Sequence, residues 1–223
     1  AVRAIKAGAT DFIPKPWEKE KLLATLSSGM KLRRSRTEIN LLKEQVEVLS
    51  NATAGGSEEI IIGDSPVMQQ VFSTVEKLRD TDANILILGE NGTGKDVIAR
   101  MLYRNSPRYG KPFVTIDLGS IPEQLFESEL FGYEKGAFTD ARKAKVGRME
   151  VATGGTLFLD EIGNLSLPMQ AKLLTAIEKR CISRLGSTQA TPIDVRLICA
   201  TNADIRRLVD EGDFRQDLLY RIN

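Results

Sequence analysis

Ile85-Leu-Ile-Leu-Gly89-Glu90-Asn91-Gly92-Thr93-Gly94-Lys95-Asp96-Val-Ile-Ala99 reads in order as an apolar strand, a glycine-rich turn carrying a lysine, and the start of a helix. Glycines let successive backbone N–H groups converge on phosphate oxygens, the helix N-terminus adds its partial positive charge, and Lys95 supplies a mobile full charge. Gly89, Gly94 and Lys95 fit the spacing G-x-x-x-x-G-K, so residues 89–96 form a cradle for the β- and γ-phosphates of a nucleotide. One residue departs from the common pattern. Asp96 stands where a Ser or Thr hydroxyl usually binds Mg²⁺, and the metal has to lean on other groups.

Working outward, strands are expected over Ile85–Leu88, Phe113–Asp117, Thr156–Leu159 and Val195–Cys199. Helices lie between them, including Pro66–Leu78, Lys95–Tyr103 and Leu167–Lys179. Interleaving of this kind predicts an α/β fold whose parallel sheet is covered on both faces. Its site belongs at the C-terminal strand edges, which is where Gly89, Asp117, Asp160 and Asn202 fall. The run Thr156-Leu-Phe-Leu159 delivers Asp160 and Glu161 there as a Walker B pair. Two carboxylates at the end of a buried strand are expensive unless they have chemistry to do. Asp160 is read as the Mg²⁺ ligand, Glu161 as the group that orients and polarises the attacking water, and Asn202 as a sensor of the γ-phosphate.

Composition narrows the remaining classes. A net charge of +1 over 223 residues gives no strong field for a polyanion, and Lys31, Arg33, Arg34 and Arg36 read as a solvated helix face. Cys181 and Cys199 stand alone and histidine is absent, which argues against a zinc site or a disulfide framework and suits a reducing cytoplasm. No apolar run approaches the ~20 residues of a membrane span. The chain begins with Ala and stops within an arginine-bearing segment, so it is read as a fragment.

Between the phosphate cradle and the carboxylate pair comes Gly136-Ala137-Phe138-Thr139-Asp140-Ala141. It resembles the GAFTGA loop of the central AAA+ ATPase domain of bacterial sigma-54-dependent transcriptional activators, the NtrC class. Gly212-Asp-Phe-Arg215-Gln-Asp-Leu-Leu-Tyr-Arg221-Ile-Asn223 resembles the same family's G-x-F-R-x-D-L-x-x-R-L-N segment. That resemblance implies that Gly89, Glu90, Asn91, Gly92, Thr93, Gly94, Lys95 and Asp96 bind ATP, with Ile62 and Gly63 on the adenine side. It implies that Arg215 and Arg221 act as arginine fingers on the neighbouring subunit's ATP in a ring, and that residues 136–141 contact sigma-54 RNA polymerase. An acidic residue after the lysine, here Asp96, is usual in the family. Two positions depart from it: Asp140 replaces the loop's second glycine, and Asp117 stands where relatives carry an asparagine that bonds the catalytic glutamate.

Residues 1–29 carry Gly8, Ala9, Asp11, Phe12, Ile13, Lys15 and Pro16, which resemble the C-terminal end of a flavodoxin-like receiver domain, with helices expected over Val2–Ala7 and Lys19–Leu26. The resemblance assigns Lys15 to the phosphoryl group of an aspartate upstream of this chain, and makes a sensor histidine kinase a partner. Residues 30–56 follow as a linker helix. Ile39 and Val46 at a positions with Leu42 and Leu49 at d positions suit a parallel two-stranded coiled coil, the alternative being a helix packed on its own domain. A break is expected from Asn51 to Gly56, and residues 57–223 form the ATPase domain. A fifth core strand, a helical lid and a DNA-binding domain are expected beyond the chain. The whole reads as part of a cytoplasmic bacterial response regulator, dimeric through the linker and ring-forming when active. The competing readings are an AAA+ remodeller of another protein and a non-enzymatic phosphorylation-controlled scaffold.

Overall fold

The computed structural model describes residues 15, 18–54 and 64–223, and it divides into two units, Ala1–Glu44 and Gln45–Asn223. The expected receiver elements before Lys19, apart from Lys15, and the adenine-side Ile62 and Gly63 lie outside the described residues. Lys15 itself is exposed.

Helix α1 runs over Lys19–Ala54. The two helices expected over Lys19–Leu26 and in the linker are one, because no break separates them at residue 29. Gly29 has nothing within 4 Å of where a Cβ would stand, and one glycine in a helix costs only about 1 kcal/mol against alanine. Its neighbours Leu26, Met30, Lys31 and Leu32 are strong helix formers, and propagation outweighs that cost. The helix also continues through Asn51–Ala54, where a break was expected. Leu23, Leu26, Met30, Leu32, Ile39 and Leu42 are all exposed on it.

In the second unit, Ser65 caps helix α2 (Pro66–Lys77) by accepting the Met68 N–H at 3.3 Å, with Pro66 preset for the first turn. Strand β1 (Ile85–Leu88), helix α3 (Lys95–Arg104) and strand β2 (Phe113–Asp117) follow. Helix α4 (Glu123–Phe131) leads into β3 (Gly132–Tyr133), which pairs antiparallel with β4 (Lys145–Val146). The short helix α5 (Arg148–Val151) precedes β5 (Thr156–Asp160), and a 3₁₀ turn, Ile162–Asn164, precedes helix α6 (Leu167–Lys179). A ribbon of β6 (Cys181–Ser183) and β7 (Ala190–Pro192) comes before β8 (Arg196–Thr201), and α7 (Ile205–Glu211) and α8 (Gln216–Ile222) end the described chain.

The main sheet has the order β1-β8-β5-β2 with every pair parallel, as the alternating pattern requires. Side chains alternate across it. Phe113, Phe158, Ile198 and Ala200 pack on one face with Val75 of α2 and Ala99, Leu102 and Tyr103 of α3. Leu157, Leu159, Leu197 and Cys199 point the other way, toward the side covered by α6 and α8, whose Leu173, Leu218 and Ile222 are fully buried. Burial pushes the Cys199 thiol up to about 12, so it stays a neutral core residue. At the N-terminal edge Arg108 is buried and donates to both oxygens of Asp82 at 2.6 and 2.5 Å and to the Gly155 and Asp194 carbonyls at 3.0 Å. That one guanidinium ties together the loops entering β1, β5 and β8. The site lies at the opposite edge, where the register sets Leu88 beside Thr201 and Asp117 beside Asp160.

Candidate functional site: a phosphate cradle at the strand edge

Gly92 (φ 76°) and Gly94 (φ 80°) take the left-handed conformation that turns the chain from β1 into α3, a region costly to any residue with a side chain. At Gly89 a Cβ would stand 2.9 Å from Thr93 Oγ1. Glycine at 89 is therefore set by close approach rather than by φ. Thr93 Oγ1 is occupied by donating to the Glu90 carbonyl at 2.8 Å, and the Lys95 and Asp96 N–H groups open α3 ahead of its first helical bonds, which Val97 and Ile98 make to the Gly94 carbonyl at 3.1 Å.

Lys95 is buried, and its ammonium donates to the Gly89 and Glu90 carbonyls at 3.1 and 3.2 Å while lying 3.6 Å from Glu161 Oε1. The other carboxylate oxygen of Glu161 accepts the Asn202 N–H at 3.3 Å, and Asn202 Nδ2 donates to Asn91 Oδ1 at 2.8 Å. Three strand ends are thereby joined: the cradle after β1, the carboxylates after β5 and Asn202 after β8. Glu161 is held at φ 55°, an uncommon conformation for a residue with a Cβ, costing on the order of 1 kcal/mol. Its N–H bonds the Asp160 carboxylate at 3.0 Å.

Burial holds the Asp160 carboxyl above the ordinary range, and the charges of Glu161 and Asp117 push the same way, against the Glu161 N–H and Lys95. Asp117 turns to the Gly119 N–H, which it accepts at 2.8 Å; no hydrogen bond joins it to Glu161 among the described residues. A Cβ at Gly119 would meet Asp117 Oδ1 at 3.2 Å and Glu161 Cγ at 3.6 Å, so the two side chains flank one small residue.

The two arginines lie elsewhere. Arg215 makes a two-pronged pair with Asp217 at 3.0 and 2.7 Å, and Arg221 lies 3.4 Å from Glu178. Neither bonds a residue of the cradle.

Residues 136–141 form a closed tip between β3 and β4. Gly136 N–H reaches the Ala141 carbonyl at 2.8 Å, Ala141 N–H reaches the Phe138 carbonyl at 3.0 Å, and Ala141 is buried. Phe138 is 45% exposed, its ring edge-on to Tyr133 with centroids 4.9 Å apart, and Thr139 and Asp140 are exposed. Below the tip, the Glu134 N–H bonds the Leu185 carbonyl at 3.0 Å, and a Cβ on Gly186 would lie 2.9 Å from the Ala137 Cβ. Arg184 anchors this seat by pairing with both oxygens of the buried Glu150 at 2.9 and 2.7 Å. A recess of about 660 Å³ lies under the β6–β7 ribbon, lined by Glu127, Lys172, Thr175, Cys181 and Gly186 among others. Its volume does not make it the reactive site, because the carboxylates and the lysine converge on the open strand edge.

A family model described as "Sigma-54 interaction domain" matches residues 61–223. The chain belongs to that family. Over its whole length it is 44% identical to the C4-dicarboxylate transport transcriptional regulatory protein DctD of Pseudomonas aeruginosa, covering 47% of that protein. It is 40% identical to the DNA-binding transcriptional regulator NtrC of Proteus hauseri, covering 100% of this chain and 45% of that one. Among solved structures, NtrX of Brucella abortus in complex with ATP superposes with a TM-score of 0.69 at 32% identity, over 100% of this chain and 45% of the other. The chain thus spans about half the length of the relatives it matches. The P-loop AAA+ parallel-sheet fold expected from the sequence is the fold observed.

Within this sigma-54 interaction domain, the sequence reading missed Gln170, Asn84 and Arg184. Asn84 accepts the Leu197 N–H at 3.0 Å and donates to the Arg221 carbonyl at 2.8 Å, fastening β8 and α8 to the start of β1. Only Gln170 left a signal: it is a polar residue in register with the apolar Leu173 and Leu174.

The environment of Asp160 gives a testable consequence. A carboxyl whose pKa is raised on folding contributes fully below its unfolded pKa and loses that contribution as pH rises through the folded one. Asp160→Asn should therefore stabilise the nucleotide-free protein near neutral pH by less than about 1 kcal/mol, solvent on its open side screening much of the penalty. Thermal melts should show the gain shrinking toward zero as pH falls below the ordinary carboxylate range. A gain that grows on acidification would be the wrong sign.

Proposed function

We propose that the chain is the ATP-hydrolysing part of a sigma-54-dependent activator of a two-component system. Convergence of Lys95, Glu161, Asn202 and Asn91 at one strand edge carries this reading. ATP enters with its phosphates on the amides of residues 89–96, and Lys95 leaves the loop carbonyls for them. Asn202 bonds both the cradle and Glu161, which supports it as the reporter of the γ-phosphate. Glu161 accepts a hydrogen bond from the attacking water, orients it and takes up its proton.

Mg²⁺ fits the donors present. Among the described residues no three-carboxylate cluster exists, but this ion is commonly held by one or two carboxylates together with substrate phosphates and waters. Asp160 would hold it, with Asp117 near enough in register to join its water shell. Bound there, the ion neutralises charge developing on the phosphates.

Glu161→Gln tests the assignment. It keeps the shape and the acceptor for the Asn202 N–H but loses the base, so turnover should fall by roughly 10² or more with ATP affinity within a few-fold. Turnover near the unsubstituted rate would reject Glu161.

The rest of the organisation is proposed on the same footing. Residues 1–29 are the end of a receiver domain with Lys15 toward its phosphoryl group, 30–56 are a linker helix and 57–223 are the ATPase domain. A sensor kinase acts through the receiver, and DNA is bound through a further domain. The exposed Ile39 and Leu42 serve a parallel dimer of α1. Ile39→Glu with Leu42→Glu should shift sedimentation of the intact protein toward monomer by tenfold or more in dissociation constant. An unchanged dimer would place the contact elsewhere. No described helix is long and apolar enough to cross a membrane. The second reading, a remodeller of a different target protein, keeps the same ATP chemistry and differs in what the residue 136–141 tip touches.

A further inference from the structure

Gln170 sits in α6 with no solvent exposure. Its amide offers two N–H donors and an oxygen acceptor, and a buried polar group left unpaired costs roughly 1–3 kcal/mol. All three functions are used on backbone groups. Nε2 donates to the Leu165 carbonyl at 2.8 Å and to the Asp213 carbonyl at 2.9 Å, while Oε1 accepts the Arg215 N–H at 2.8 Å. The two carbonyls and the N–H fix which end of the amide is nitrogen.

The placement of those partners is what matters. Asp213 and Arg215 flank Phe214, whose ring is 2% exposed, so the amide grips the chain on both sides of a buried anchor. Leu165 closes the 3₁₀ turn that begins at Glu161, its N–H on the Ile162 carbonyl at 3.3 Å. One side chain therefore joins the segment behind the carboxylate to the segment that bears Arg215. The core does not demand a polar group there, since a methionine or leucine would continue the stripe of Leu173 and Leu174 at helical spacing. Among the described residues the Arg215 guanidinium, by contrast, is restrained only by Asp217, with the two side chains 41% and 51% exposed.

We propose that Gln170 is a positioning residue for the trans arginine, fixing the Arg215 backbone against the Glu161 segment so that the side chain, once it leaves Asp217, reaches the phosphates of an adjacent protomer. This rests on the reading of Arg215 as a finger. The role divides between subunits, because Glu161 serves a protomer's own nucleotide and Arg215 serves its neighbour's.

Mixed assemblies of the intact protein separate the two. One chain carries Glu161→Gln and can only lend its arginine; the other carries Arg215→Ala and can only hydrolyse. Their mixture should recover ATPase activity that neither has alone. Adding Gln170→Met to the lending chain should lower the recovered kcat about tenfold or more with KM unchanged, whereas the same substitution in the hydrolysing chain should cost no more than about twofold. Gln170→Leu, which also continues the apolar stripe, should repeat the asymmetry if the methionine variant fails to fold. Equal losses in both placements, or none in the lending chain, overturn the inference while leaving Arg215 as the finger. No recovery in the parent mixture overturns Arg215 itself, and the inference with it.

Discussion

Arg215→Ala should abolish ATP turnover, by roughly 10³ to 10⁵ in kcat, while ATP still binds with near-unchanged affinity. The size follows from what a guanidinium does when it arrives at developing phosphate charge, and the split between kcat and affinity follows from where it sits. Arg215 bonds nothing in its own chain's cradle and pairs instead with Asp217. It therefore adds nothing to ground-state binding within the protomer. Exposed ion pairs are weakly held, so Asp217 parks the side chain without trapping it. Turnover per subunit should accordingly rise with protein concentration. A kcat within about twofold of the parent, paired with a small loss of thermal stability, would reduce Arg215–Asp217 to a surface pair and remove the trans mechanism.

Phe138→Ala should leave ATPase activity within about twofold and lower sigma-54 promoter opening at least about thirty-fold, the loss expected when an aromatic hot spot of ~2 kcal/mol is removed from an interface. The ring is half exposed and rests edge-on against Tyr133 with no core to fill. Truncation should therefore cost the fold much less than the roughly 3–5 kcal/mol of a buried phenylalanine. Thr139→Ala should behave alike, since its side chain is exposed on the same tip. Asp140→Gly should be tolerated: among the described residues the carboxylate has no ion pair, and the tip is closed by the backbone bonds of Gly136 and Ala141. Normal promoter opening by Phe138→Ala would mean that this tip is not the output element and would favour a different target.

Much of this was legible before any coordinates, because the features concerned are local. Apolar strands of four to six residues announce the sheet, and Gly89, Gly92, Gly94 and Lys95 announce their turn by spacing alone. Asp160, Glu161 and Asn202 follow from the rule that chemistry collects at the C-terminal ends of parallel strands. Elements defined only by their neighbours were not legible. The two-residue strands Gly132–Tyr133 and Lys145–Val146 carry no periodicity, and the seat of the loop depends on Gly186 meeting Ala137 across the fold. Gly29 looked like a boundary because glycine is a weak helix former, yet the residues around it outvote it. Gln170 shows in sequence as a polar residue on the apolar stripe of its helix, but its partners Asp213 and Arg215 are too far along the chain to be read from it.

Promoter opening by the intact protein with sigma-54 RNA polymerase, compared between ATP and a non-hydrolysable ATP analogue, tests the central claim most directly. Open complexes should form with ATP and not with the analogue, and Glu161→Gln should abolish those formed with ATP. Opening supported equally by the analogue, or undiminished in Glu161→Gln, would contradict an activator that works by hydrolysis at this site.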